Sequence, residues 1–323
     1  MKRKTSGLCC FLLLAALLLS LTACGKTADT PLEKTAQYLQ EQVTEPVSGA
    51  IAGDWLVFGL ARSGVQVPQK YYDTYYENVE TAVREADGVL SDRKYTEYSR
   101  TVLALTAIGK DPTDVAGYNL LAPLGDFEQV TKQGINGTIF ALLALDSKNY
   151  DVPENPDATV QATRQMYVDE LLGRELESGG WTLTGSTADV DITAMTLQAL
   201  AKYQDQPEVA AATERGLSVL SSLQEEGGGF ASWGTSNSES ISQVIVALTE
   251  LGIPLDDSRF VKNGKTAEDA LLTFAQDNGA FVHVTDGSGD DEMATEQAFY
   301  ALAAIARSEA GKTTLYDMTD VTQ

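Results

Sequence analysis

The sequence predicts an all-α protein folded as an α/α toroid, six inner and six outer helices in a single domain. Three observations predict it. A junction of glycine, aromatic, polar link and acidic helix start occurs three times, at Gly179-Gly180-Trp181, Gly227-Gly228-Gly229-Phe230 and Asn278-Gly279-Ala280-Phe281. Its spacing of roughly fifty residues is that of a helix-pair repeat. Apolar residues recur at helical spacing almost throughout, with no alternating strand pattern longer than a few residues. Finally, six segments are small and apolar on nearly all sides, and a helix that is apolar all round must be buried all round.

Taken in order, the chain starts with the basic head Met1-Lys2-Arg3-Lys4 and the apolar run Leu8 to Leu21, which is short for a membrane span. The run ends Leu21-Thr22-Ala23-Cys24, which resembles the lipobox of bacterial lipoproteins. That resemblance implies cleavage before Cys24, lipidation of its thiol and an extracytoplasmic protein anchored to the bacterial cell membrane. The expected organisation is therefore a signal peptide at 1–23, a lipidated tether at 24–30, the toroid at 31–308 and a C-terminal tail at 309–323. Cys9, Cys10 and Cys24 are the only cysteines, so a cleaved chain has neither a disulfide nor a thiolate metal site. It keeps 20 basic against 46 acidic residues, a formal charge of −26, and such a surface repels nucleic acid.

Twelve helices are expected, paired as 31–44 with 50–63, 68–88 with 94–108, 112–124 with 134–146, 157–175 with 188–203, 207–224 with 237–252, and 266–277 with 292–308. The second member of each pair aligns on a small-plus-large dipeptide: Gly59-Leu60, Ala104-Leu105, Ala144-Leu145, Ala199-Leu200, Ala247-Leu248 and Ala301-Leu302. The first members carry the charge, as in Tyr71 to Val83, and form an outer shell. Short links make neighbours antiparallel. An open superhelix of the same pairs is the competing architecture. Six pairs without a polar cap repeat favour closure.

Leu223-Gln224 followed by Gly227-Gly228-Gly229-Phe230 and Trp233 resembles the glutamine-to-tryptophan repeat of squalene cyclases and protein prenyltransferase β subunits. Asp189-Val190-Asp191-Ile192-Thr193-Ala194 resembles the acidic motif of class II terpene cyclases. The region is also similar to the helical domain of the transcobalamin and intrinsic factor family. These resemblances cover residues 31 to 308 and imply the toroid fold, which hosts unrelated chemistries. For an enzyme, they imply Asp191 as proton donor and Asp189 as its partner, although Ile192 stands where a third aspartate is expected. Zinc-dependent prenyl transfer lacks its ligands: no internal cysteine exists, and His283 is the single histidine.

Superposing the six dipeptides places Trp55, Arg100, Phe140, Met195, Gln243 and Gln297 in one ring, with Tyr98, Thr138 and Thr193 nearer the mouth and Asn136, Asp191, Glu239 and Met293 beyond them. Such a mouth suits a ligand pocket with a few orienting polar groups. The expected ligand contacts are Trp55, Tyr98, Arg100, Trp181, Asp189, Asp191, Gln243 and Gln297. The plainer reading packs Trp55, Phe140 and Met195 as core, pairs Arg100 with Glu97, and makes Asp189 a helix cap. The acidic run Asp286 to Glu292 has its glycines misplaced for a calcium loop and reads as solvated.

The first functional expectation is a lipid-anchored binding protein for a bulky, partly apolar ligand. By resemblance a corrinoid is proposed, with no other cofactor and with any lid supplied by a partner. The second is a terpene cyclase or prenyltransferase-type enzyme acting on an isoprenoid. The third is a carbohydrate-processing toroid, for which Asp191 and Glu239 are the carboxylate pair.

Overall fold

A computed structural model describes residues 30–287 and 292–322. The lipobox with Cys24, and the core of the acidic run after Gly287, lie outside the described residues. Among the described residues twelve α-helices follow in order: α1 (Pro31–Gln42), α2 (Trp55–Ser63), α3 (Gln69–Glu85), α4 (Thr96–Ala107), α5 (Phe127–Lys132), α6 (Ile135–Asp146), α7 (Arg164–Gly173), α8 (Val190–Leu200), α9 (Pro207–Leu223), α10 (Ser238–Glu250), α11 (Ala267–Leu271) and α12 (Glu292–Glu309). The even-numbered helices are the inner ones. Each packs against two inner neighbours, and α12 returns to α2, so the ring is closed.

Closure follows from side-chain size. Ala104, Ala144, Ala247 and Ala301 are fully buried, and a Cβ at Gly59 would sit 3.0 Å from the ring of Phe299 on α12. Small residues there let inner helices approach closely on both flanks. Glycines in the left-handed region end three of them: Gly64, Gly109 and Gly252, at φ 77°, 74° and 66°.

The repeated junction is a latch on the outer wall. Leu176, Glu225 and Gln276 each donate a backbone N–H to the carbonyl four residues on, at Gly180, Gly229 and Ala280. The aromatic that follows, Trp181, Phe230 or Phe281, is buried behind its inner helix. Gly228 and Gly279 hold φ of 84° and 96°, and a Cβ would meet Thr266 O at 2.4 Å and Lys34 O at 2.6 Å. Only glycine fits both the dihedral and the gap.

Four expected elements differ, one of them the last outer helix: expected at 266–277, it is α-helical only over Ala267–Leu271 and ends in a 3₁₀ turn, Leu272–Phe274. The outer helix at 112–124 does not form: Ala116 and Gly117 take positive φ, Val115 bridges Tyr118, and only a 3₁₀ turn, Ala122–Gly125, precedes the short α5. The second helix starts at Trp55, not 50, because Ile51, Ala52 and Gly53 leave helical dihedrals. The seventh starts at Arg164, capped by the Thr163 side chain, after an extended stretch in which Gln161 bridges Asp126.

The expected tail is a plug. Arg62, at the end of α2, donates to the carbonyls of Thr314, Leu315 and Asp317 and to the carboxylate of Asp320. Arg307 donates to the other oxygen of Asp320 at 2.6 Å. Glu250 accepts from Tyr316 N and the Thr314 hydroxyl, and Met318 N donates to Ser147 O. Leu315 and Met318 have no exposed surface. The segment thus crosses the C-terminal ends of α2, α6, α10 and α12 and closes that end of the ring.

Above the plug the axis is filled with aromatic rings. Phe58 stacks on Tyr316 at 5.3 Å, and Trp55 packs on Phe58, Phe140 and Tyr300 with centroids 5.9, 5.6 and 6.2 Å away. Interiors are packed solid where side chains can reach. What stays open is the end where the inner helices begin.

Candidate functional site at the mouth of the toroid

Three helix starts build the site. Asp189 caps α8, accepting the Ile192 N–H at 2.9 Å, which leaves Asp191 in the first turn. Asn237 caps α10 through the Ser240 N–H at 2.8 Å, which puts Glu239 at the equivalent place. Met293 and Gln297 come from α12. Between α9 and α10 a small hairpin, β1 (Ala231–Ser232) paired with β2 (Thr235–Ser236), turns at Trp233-Gly234. Both turn residues have positive φ, 54° and 82°, the pattern of a tight primed turn. Trp233 is 91% exposed there, and Ser232 Oγ reaches Asp189 Oδ2 at 3.4 Å.

These residues enclose a pocket of about 380 Å³, lined by Asp191, Met195, Trp233, Glu239, Gln243, His283, Met293 and Gln297, with Ser232, Thr235 and Asn237 at its edge. Its floor is fixed by amides. Gln198 Nε2 donates to Gln243 Oε1 at 3.0 Å, and Gln243 Nε2 donates to Gln297 Oε1 at 2.9 Å and Tyr300 OH at 2.5 Å. On one wall His283 Nδ1 lies 2.8 Å from Glu239 Oε2. Ser238 holds that loop by donating to Val282 O and His283 O.

Burial raises the Asp191 carboxyl above its ordinary pKa, and the charges of Asp189 and Glu239 add to the rise, against the Ser240 and Ser232 hydroxyls that stabilise the anion. Asp191 Oδ1 is buried without a hydrogen bond of ordinary geometry, as is Ser240 Oγ. Unpaired buried polar atoms mark places where water or a ligand belongs. Among the described lining residues no lysine or arginine occurs. The pocket offers two carboxyl groups, amides and hydroxyls, one imidazole, two thioethers and one indole face.

Of the sequence-predicted residues, Asp191, Gln243 and Gln297 line this pocket together, and Asp189 stands directly behind Asp191. Trp55 is half-buried in the aromatic filling beneath, where the plainer reading put it. Three others are corrected. Trp181 has no exposed surface, and its Nε1 donates to Leu171 O at 2.7 Å, because it is the latch aromatic of its repeat. Tyr98 is 3% exposed, with its hydroxyl against the Ser91 N–H. Arg100 is clamped between Asp54 at 2.7 Å and Glu97 at 2.5 Å, inside the wall between α2 and α4. Thr193 also turns outward, bonding to the backbone of Trp181 just as Thr295 bonds to that of Phe281.

Trp233, Met195, Met293 and His283 were absent from the expected contacts. The glycine after Trp233, between two short polar segments, was the available signal, since two-residue hairpin turns place glycine at a positive-φ position. A larger depression, about 790 Å³, lies at the plugged end beside Leu60, Val67, Tyr72 and Val321. Its charged side chain, Asp320, is held by Arg62 and Arg307, so the chemistry belongs to the mouth.

No protein-family model matches the sequence, and no curated protein matches it. Solved structures do. A polysaccharide lyase is 13% identical with a TM-score of 0.55, covering 87% of this chain and 96% of its own. A type II terpene cyclase from Scytonema, bound to its product merosterolic acid A, is 12% identical with a TM-score of 0.56, covering 86% and 96%. An unsaturated glucuronyl hydrolase from Bacillus sp. GL1, which degrades glycosaminoglycan, is 12% identical with a TM-score of 0.54, covering 89% and 97%. The chain therefore has the α/α-toroid, terpenoid-cyclase-like fold shared by these enzymes, with its inner helix starts gathered at one mouth.

Proposed function

We propose that the protein is a ligand-capture module, held outside the bacterial cell membrane by a lipid on Cys24, that binds at the toroid mouth. The observation that carries this reading is Trp233, a large aromatic held almost fully exposed on a two-residue hairpin turn beside a buried, unpaired carboxylate oxygen. A non-glycine residue held in the left-handed region carries a backbone cost, and such residues cluster at ligand sites. The ligand is bulky and partly apolar, with N–H or O–H donors along one edge, since the pocket supplies acceptors and no fixed cation that would welcome an anion. A pocket of about 380 Å³ holds one edge of such a molecule, so the rest is left for a partner to cover. A corrinoid, with amides around an apolar ring, is the first candidate. Titration with cyanocobalamin, followed by heat and visible absorption, tests it: saturable binding weakened by Trp233→Ala supports the reading, and no change up to the ligand's solubility removes the corrinoid.

A second reading is favoured by the carboxylate pair. Asp191, with a raised pKa, has the character of an acid, and Glu239, beside His283, supplies the second carboxyl that glycosidic bonds need; the polysaccharide lyase and glucuronyl hydrolase lend the fold-level analogy. Release of sugar from neutral oligosaccharides, abolished by Asp191→Asn, would establish it. The isoprenoid-cyclase reading shares that fold support, but Ile192 replaces an acid and aromatic rings occupy the axis where an isoprenoid chain would lie.

A further inference from the structure

Carboxylates at the mouth outnumber the cations facing them. Asp189, Asp191 and Glu239 meet at the starts of α8 and α10, close enough for the first and last to act on the charge of Asp191. The imidazole of His283 stands beside Glu239 alone. Asp191 Oδ1 and the hydroxyl of Ser240 next to it are buried without a hydrogen bond of ordinary geometry, and Ser240 has no exposed surface. A carboxylate left this way inside a wall destabilises the free protein.

We propose that the pocket takes an organic ammonium ion, lodged between the indole of Trp233 and the carboxylate of Asp191, with Met195 and Met293 against its alkyl groups. The inference rests on the mouth being the binding site and adds the charge of what binds there. Three features of the pocket, and the charge of the whole chain, select a cation. Indole is the strongest of the aromatic faces for a cation, and desolvation strengthens the contact. Thioethers are polarizable and adapt to alkyl groups on nitrogen. The unpaired Asp191 oxygen supplies the counter-charge that an ammonium needs once it leaves water. The formal charge of −23 on the whole chain concentrates cations near the surface before they bind. A neutral hydroxyl could bond to Asp191, but would leave its charge uncompensated.

The test is calorimetric titration of the full-length protein with choline and with its uncharged isostere 3,3-dimethyl-1-butanol. Choline should bind at least about tenfold more tightly, a difference of about 1.4 kcal/mol, and added salt should narrow the gap. Asp191→Asn should remove most of that preference. Trp233→Ala alters a side chain that packs on almost nothing, so its fold is not at stake, and it should weaken choline binding about two- to fivefold, the range of an exposed cation–π contact. Equal binding of the two compounds, no choline binding, or choline binding indifferent to Trp233→Ala would overturn the inference. Cyanocobalamin binding with choline silent overturns it while leaving the capture reading intact. Choline binding without cyanocobalamin binding removes only the corrinoid.

Discussion

Arg100 and Asp54 form an ion pair sealed inside the toroid wall: Nε lies 2.7 Å from Oδ2, and the aspartate side chain has no exposed surface. Tyr75 OH donates to the other carboxylate oxygen at 2.5 Å, and Thr101 Oγ1 reaches Oδ2 at 3.2 Å. Burial pushes the Asp54 carboxyl up, against the guanidinium and hydroxyl that favour its charge. Removing one partner strands the other. Arg100→Met should cost about 3–5 kcal/mol in denaturant unfolding, while adding Asp54→Asn should restore part of the loss. Equal costs for the single and double variants would mean that the charges are not paired.

Glu296 predicts an unusual pH profile. It is 3% exposed and accepts the Ala52 N–H at 2.7 Å, and burial, with the charges of Glu292 and Asp54, pushes its pKa from 4.5 up to about 8. Because the folded pKa lies above the unfolded one, its stabilising contribution is complete below pH 4.5 and is lost as pH rises through about 8. Glu250, pushed up to about 7 mainly by burial, acts in the same direction. Unfolding free energy should therefore fall between those limits, by on the order of 5 kcal/mol for Glu296 alone, and Glu296→Gln should flatten the slope. A wild-type profile that rises with pH across the window would contradict this.

The plug predicts that the last residues belong to the cooperative core. Arg62 is 2% exposed and ties five groups of the segment to α2. Arg62→Ala, or deletion from Lys312 onward, should lower stability by about 3–5 kcal/mol. Unchanged melting in the truncated chain would show a docked tail without structural weight.

The latch glycines separate space from backbone. Gly228 has positive φ and no room for a Cβ, whereas the preceding Gly227 has neither constraint. Gly228→Ala should destabilise by about 2 kcal/mol or more and Gly227→Ala by less than about 0.5 kcal/mol. Similar costs at the two positions would refute the latch as described.

Much of the fold was legible because it is repetitive. Six all-apolar segments on a small-plus-large dipeptide, and three glycine-aromatic junctions, encode one packing solution again and again, and register errors cannot survive such repetition. The non-repeating parts were not legible. At Ala116-Gly117 the left-handed backbone lies inside an apolar stretch that reads as helix, and the plug depends on Arg62 meeting carbonyls some 250 residues away. The site was half legible for the same reason. Superposing helices places Asp191, Gln243 and Gln297 on one mouth, but not the rotation that turns Arg100 into the wall, nor the hairpin that lifts Trp233 over the pocket.

Ligands that meet the mouth and not the axis are told apart by the chain's three tryptophans: Trp55 in the axial filling, Trp181 in the latch and Trp233 at the rim. Labelling them with a fluorinated tryptophan and recording fluorine NMR during titration with choline or cyanocobalamin resolves the three positions. The Trp233 resonance should move saturably while that of Trp181 stays fixed and that of Trp55 shifts little. A saturating shift at Trp55 with Trp233 unmoved would contradict binding at the mouth.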